Sequence, residues 1–336
     1  MAGRHALPGK DFYCHRRAPV STVVARSPGR RDPMSEQLVE APKKRLGLFA
    51  VVGVVVVVLV AGIVFAVTRG GAEEKAVRIG VVGAGDPYWS AYVKAAGDQG
   101  IKVEVVDFTD YAQPNPALAE GEIDLNQFQH IVYLADYNVS NKKDLVPVGA
   151  TAIYPLGLYS KKYPSAAEVP AGATVAVPND ASNQGRGLLV LQAAGLVKLK
   201  SGGTIFSDLT DVDEAASKVK VTALDAALTA TSLDDLAAAI INNDFVEKAG
   251  LSFDKAIAKD DPADPKAVPY VNVFAAREQD KDNPTYTKLV EIYQNSREVL
   301  DGVKEVSGGT AVFAKTPAGD LRKSLDDVEK ITAERK

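Results

Sequence analysis

Residues 46–67 read LGLFAVVGVVVVVLVAGIVFAV, 22 consecutive residues without a charge or a strong polar group. A bilayer core takes about 20 such residues as a helix, whereas the apolar stretch of a secretory signal usually runs ~7–15. A run of this kind has no stable place on the surface of a water-soluble domain, so it divides the chain in two. Lys43, Lys44 and Arg45 stand immediately before it, and Glu73 and Glu74 follow shortly after. The positive-inside bias then places the N-terminus in the cytoplasm and everything beyond residue 70 outside. The expectation is a single-pass transmembrane helix in the cell membrane, with a long cleavable signal and a buried core helix as alternatives.

Charge follows the same division. Residues 1–45 carry ten Lys/Arg against four Asp/Glu, and residues 76–336 carry 27 against 37, a net of −10. An acidic domain is repelled by phosphates, which argues against a nucleic-acid partner. The basic segment 1–45 reads as a disordered cytoplasmic tail, Arg-rich and unpatterned over 1–33. Met34 opens a compact start for an anchor, so translation from Met34 is an alternative to Met1. Cys14, the single cysteine, precedes the apolar run. It provides neither a disulfide within the exported part nor a lipid-bearing cysteine after the run.

Beyond a Gly/Glu/Lys linker at 68–75, short β-branched stretches alternate with helical ones. Residues 77–82, 101–106, 145–148, 173–177, 219–223, 238–241 and 270–274 read as strands. Residues 88–96, 127–137, 184–194, 233–237 and 284–300 read as helices. Alternation of this kind predicts an α/β protein with parallel sheets and crossovers. Pro/Gly-marked passages at 154–157 and 264–265 fit about 260 residues arranged as two lobes. Sheets of this class place ligands where strands run out into loops and helices.

The polar residues at those points form the candidate site. Ser182 or Asn183 can cap a helix whose free N–H groups favour an anion. Arg186, in the same turn, offers a planar fork matched to a carboxylate, a match lysine lacks. Tyr111, Phe128, His130 and Tyr133 supply rings suited to an apolar or thioether side chain, with residues 126–133 read as the first turns of a helix. Asn242 and Asn272 supply carbonyl oxygens that can accept from an ammonium group. Taken one at a time these features have plainer explanations. Arg186 fits a solvated arginine on a capped helix, the rings fit ordinary core packing, and the asparagines fit capping and turns. The exported part has one histidine, no cysteine, no HExxH and no GxSxG, which disfavours an enzyme. Residues 260–264, rich in Asp, read as a solvated loop rather than a calcium site.

The segments FTDYAQPNPALAEGEIDLNQFQHIVYL, YPLGLYSKK, VAVPNDASNQGRGLLVLQ, AGLVKLK, SLDDLAAAIINNDF and PYVNV occur in that order over residues 77–309. In these segments the chain resembles the methionine-binding lipoproteins of bacterial ABC importers, the NlpA/MetQ type of solute-binding protein. The resemblance implies a two-lobed periplasmic-binding-protein fold, type II-like, with a hinge. On this chain that means a solute-binding domain at 76–336, with one lobe of about 76–155 plus 270–336 and the other of about 156–269. It also implies that Arg186 meets a ligand carboxylate, that Asn242 and Asn272 hold the amino-acid head group, and that Tyr111, Phe128, His130 and Tyr133 enclose a thioether. Asn183 and Tyr154 stand as secondary candidates. The implied partners are L-methionine or a related amino acid, an ABC permease and its ATPase, with no cofactor, no metal and no covalent chemistry. A methionine-containing dipeptide or an extracytoplasmic sensor role are the rival readings. The departure from the family is the anchor: a long apolar span stands where a lipidated cysteine is typical.

Overall fold

Twelve strands and nine α-helices make up the regular structure among the described residues, which in this computed structural model are 75–335, with short 3-10 turns between them. The apolar run at 46–67, the basic segment 1–45 and the possible start at Met34 lie outside the described residues. Among those described, no helix is long and apolar enough to cross a membrane.

The strands are β1 (Val77–Val81), β2 (Val103–Asp107), β3 (Leu125–His130), β4 (Val146–Ala150), β5 (Ala152–Ile153), β6 (Gly157–Tyr159), β7 (Thr174–Pro178), β8 (Lys220–Leu224), β9 (Ala238–Ile241), β10 (Ala258–Lys259), β11 (Asn272–Ala276) and β12 (Val312–Phe313). The helices are α1 (Pro87–Gly97), α2 (Pro114–Ala119), α3 (Ile131–Asn141), α4 (Ala181–Ala193), α5 (Ala226–Thr231), α6 (Asn243–Val246), α7 (Pro284–Asn295), α8 (Arg297–Val306) and α9 (Ala318–Ala333). One five-stranded sheet has the order β2-β1-β3-β11-β4, a second has β10-β6-β9-β7-β8, and β12 pairs with β5 alone. The chain leaves the first sheet after β4, passes through β5, enters the second at β6, leaves it after β10 and re-enters the first at β11.

Apolar side chains cover both faces of each sheet. In the first, Ile79, Val81 and Phe274 pack with Tyr92 of α1 and Leu289 and Tyr293 of α7. Its other face carries Leu134 of α3 and Leu321 and Leu325 of α9. In the second, Val175, Val177 and Ile240 pack with Leu188 and Leu191 of α4, and Ala176, Ala239 and Ile241 pack with Leu233 and Phe245.

Several expected elements need correction. The sheets are mixed, because β6 and β11 arrive from the passages between sheets rather than through a crossover helix. Thus β11 runs antiparallel to β3 and β4, and β6 antiparallel to β9 and β10. Residues 127–130, expected within a helix, belong to β3, whose six residues are all buried between β1 and β11. Its amides are satisfied internally: Asn126, Gln129 and Asn115 hydrogen-bond one another, and Gln127 donates to Thr151 Oγ1 at 3.2 Å. That network lets a polar sequence occupy a central strand. The helix expected at 233–237 lies earlier, as α5, where the Asp225 side chain accepts from the Ala227 N–H at 2.9 Å. The helix expected over 284–300 is broken at Ser296, which is extended (φ −74°, ψ 115°) and begins α8. The amphipathic α9 was not among the expected elements; it buries Leu321, Leu325, Val328 and Thr332 along one face.

Candidate functional site

Side chains two apart on a strand share a face, so β3 presents Phe128 and His130 on one side. The chain then turns directly into α3, whose first turn carries Tyr133, and Tyr111 approaches from the loop after β2. Opposite stand the starts of two helices of the second sheet. Asp180 caps α4, accepting from the Asn183 N–H at 2.9 Å. Positions three apart on a helix are neighbours, so Asn183 and Arg186 lie on one face. Asn242 precedes α6, and Asn272 opens β11 in register with His130. All of Tyr111, Phe128, His130, Tyr133, Arg186, Asn242 and Asn272, with Asn183 and Tyr154, line one cavity of about 60 Å³.

Arg186 is 6% exposed. Its Nε donates to Asp260 Oδ2 at 2.6 Å and its Nη2 to the Tyr154 carbonyl at 2.8 Å, while Cζ stands 4.3 Å from the centre of the Tyr270 ring. Asp260 is therefore not part of a solvated loop: a buried arginine three strands away in sequence order recruits it. Among the described residues Nη1 has no hydrogen-bond partner.

His130 is neutral. Its Nδ1 accepts from the Tyr133 N–H at 3.1 Å, which leaves the proton on Nε2, 3.5 Å from Asn183 Oδ1. Burial, helped by the nearby positive charge of Arg186, pushes its pKa down to about 3. Asn183 Oδ1 also accepts from Asn242 Nδ2 at 2.9 Å, and Asn183 Nδ2 donates to both oxygens of Asp180 at 3.0 and 3.1 Å. This chain of bonds orients the Asn242 amide, whose Oδ1 is buried and has no partner. An unsatisfied buried acceptor costs about 1–3 kcal/mol, a cost that a donor placed there would relieve.

The rings form a cage. Phe128 lies 5.6 Å from Tyr133 and 5.7 Å from Tyr111, and Phe245 lies 5.2 Å from Tyr111. Tyr133 Oη donates to the Tyr111 carbonyl at 3.0 Å, and Tyr111 Oη donates to Asp244 Oδ2 at 2.8 Å. These bonds fix the positions of both tyrosine rings beside Phe128. Burial raises the Asp244 carboxyl, and burial together with Asp244 pushes Asp86 up to about 6.

Reasoning from the sequence did not place Asp86, Tyr88, Trp89, Gln127, Gln129 or Val306 in this cavity, although all line it. The run Asn242-Asn243-Asp244 at a strand end was the one signal that could have flagged more of the lining residues. Asp86, Tyr88 and Trp89 reach the site only through the packing of α1.

An arginine with an open end, an unpartnered amide oxygen and an aromatic cage together suit a small molecule bearing an anionic group, a cationic group and an apolar tail. Among the described residues no group of three or more His, Cys, Asp or Glu converges as for a metal ion.

Comparison with known proteins agrees with this architecture. Residues 77–314 match the model of the NlpA lipoprotein family. The chain is 42% identical over 250 residues to the D-methionine-binding lipoprotein MetQ of Yersinia pestis, covering 72% of this chain and 90% of the relative. It is 42% identical over 241 residues to the protein of the same name from Escherichia coli K12, covering 70% and 87%. Among solved structures it is similar to a nutrient-binding protein of Burkholderia cenocepacia bound to methionine (TM-score 0.66, 39% identity, 71% of this chain and 100% of the other). The crystal structure of the methionine-binding protein MetQ gives a TM-score of 0.67 at 40% identity, over 71% and 98%. The two mixed sheets thus form a periplasmic-binding-protein-like α/β fold, and the chain belongs to the NlpA lipoprotein family.

Proposed function

We propose that this protein is the extracytoplasmic solute-binding component of an ABC importer, and that its ligand is methionine. The observation that carries the reading is the pairing of Arg186, open at Nη1, with the unpartnered Asn242 Oδ1 across an aromatic cage. In this reading the ligand carboxylate meets Arg186, its ammonium group donates to Asn242 Oδ1 and to the Asn272 side chain, and the thioether lies among Tyr111, Phe128, His130 and Tyr133. Sulfur–ring contacts contribute roughly 0.3–1.5 kcal/mol each. A neutral His130 suits this end of the ligand, since a cationic one would oppose both Arg186 and the ammonium group. The names borne by the relatives, D-methionine-binding lipoprotein and methionine-binding protein, point to the same ligand.

The cavity, about 60 Å³, is well under the ~150 Å³ of an engineered cavity that admits benzene. In this reading a ligand of amino-acid size enters by separation of the walls. Residues 76–155 with 270–336 would move as one lobe and 156–269 as the other, hinged on the two passages between sheets. Excluding water on closure strengthens the ion pair at Arg186. The chemistry is binding and delivery to the permease, with no covalent step. Residues 46–67 would tether the protein beside its transporter as a single-pass span.

Titration calorimetry on the detergent-solubilised full-length protein, stripped of bound solute by unfolding and refolding, tests the ligand. Saturable 1:1 binding of L- or D-methionine is expected. Absence of heat with both, alongside clear binding of another solute, overturns the assignment.

A further inference from the structure

Arg186 is gripped from three directions, and each grip comes from a passage between the two sheets. Asp260 and Tyr270 flank the return passage, between β10 and β11, and Tyr154 stands on the outgoing one, between β5 and β6. Asp260 does more than pair with the arginine: its Oδ1 accepts from the Leu156 N–H at 2.8 Å while its Oδ2 accepts from Arg186 Nε at 2.6 Å. One carboxylate therefore joins the outgoing passage, the return passage and helix α4. Nε and Nη2 share one edge of a guanidinium, and here that edge is fully occupied by Asp260 and the Tyr154 carbonyl. What remains is the end-on fork of Nη1 with the outer N–H of Nη2.

We propose that Asp260 is a positioning residue for ligand recognition: it holds Arg186 so that the end-on fork faces the cavity, and it fastens that fork to both passages between the sheets. The proposal deepens the assignment of Arg186 as the carboxylate partner and rests on it. Two physical points support it. An unanchored arginine would have to lose its side-chain freedom on binding, whereas one held by an ion pair and a carbonyl has lost it already. The Arg186 side chain is 7% exposed and that of Asp260 27%, so the pair is shielded enough for the carboxylate to direct the fork and not merely balance its charge. Because both passages are tied to the same carboxylate, a ligand pulling on the fork pulls on the segments about which the lobes would turn.

Asp260→Asn separates positioning from folding. The amide carbonyl still accepts from the Leu156 N–H, but the amide N–H₂ faces Nε, donor against donor. Binding of L-methionine by the full-length protein should weaken by about 10–100-fold, the range expected for loss of a charge-assisted hydrogen bond. In an Arg186→Ala background the same substitution should change affinity less than twofold, because nothing is left to position. Side-chain ¹⁵N NMR supplies a readout independent of ligand: the Arg186 Nε–H, assigned by its loss in Arg186→Lys, should exchange slowly in the wild type and rapidly in Asp260→Asn. Wild-type affinity in Asp260→Asn, an equal further loss in the Arg186→Ala background, or a fast-exchanging Arg186 Nε–H in the wild type each overturns the proposal. Should the wild type not bind methionine, the functional assignment falls, and the exchange measurement still decides the role of Asp260.

Discussion

Removing the guanidinium of Arg186 while leaving its backbone in α4 should weaken methionine binding by about 1.5–3 kcal/mol. Arg186→Lys should recover only part of that, because an ammonium group cannot reach Asp260, the Tyr154 carbonyl and a ligand carboxylate together. Isotherms of the two variants compared with wild type measure this, and a folded Arg186→Ala that binds normally would place the carboxylate elsewhere. A second expectation concerns acid. Between pH 6.5 and about 3 the unfolded chain binds a proton at His130 that the folded chain refuses, so this residue makes stability fall as pH falls. One proton of linkage amounts to about 1.4 kcal/mol per pH unit. Asp86 acts with the opposite sign: from pH 3.8 to about 6 the folded chain keeps a proton that the unfolded chain has released. The two slopes offset each other over their common range. Asp86→Asn should therefore steepen the loss of stability on acidification, as followed by urea unfolding at a series of pH values; parallel curves for the two proteins would refute this. At this scale the sequence was most legible where one short motif holds several groups, as in PNDASNQGR. It misled on Asp260, read as part of a solvated loop, because nothing local ties a carboxylate in an acidic stretch to an arginine 74 positions earlier.

Helix α4 illustrates how an element places a side chain. A Cβ added at Gly185 would lie 2.3 Å from the Ile205 carbonyl oxygen and 2.8 Å from its carbon. Both are backbone atoms of the loop packed on the helix, so neither can swing aside. Gly185→Ala should destabilise the protein by about 1–3 kcal/mol through overpacking. It should also weaken methionine binding, because the helix must shift at the residue next to Arg186. Denaturant unfolding and calorimetry on the same variant check both parts, and unchanged stability would show that the loop yields. The elements that were readable from sequence are those with strong local character, such as β1, β2 and β7 with their β-branched runs. Those misread owe their conformation to distant partners. Leu125–His130 carries three amides and a histidine, a composition that looks unlike a central strand until Asn115 and Thr151 arrive to satisfy it. The break at Ser296 was invisible for another reason: serine is tolerated inside a helix, and only packing decides that it starts a new one.

For the molecule as a whole, the proposed attachment by residues 46–67 predicts a membrane-bound species that retains those residues and carries no acyl mass. Protease added outside intact cells should degrade residues 76–336 and leave a small protected N-terminal fragment. A soluble product beginning just after Ala66 or Thr68 would identify the run as a cleaved signal and leave the binding assignment intact.

The insertion of β11 between β3 and β4 also sets an order of assembly. Every strand of the second sheet lies between residues 157 and 259, so that sheet has all its partners once this stretch has emerged. The first sheet does not. Until residues 272–276 arrive, β4 has no ladder partner, and β3 is an edge strand carrying Phe128 and His130. Pairing Gln127 with Phe274 closes a long loop, a non-local step of the kind that slows folding. A chain emerging N-terminus first would thus complete its inserted half before the half that begins it, with β11 acting as the key that locks the first sheet.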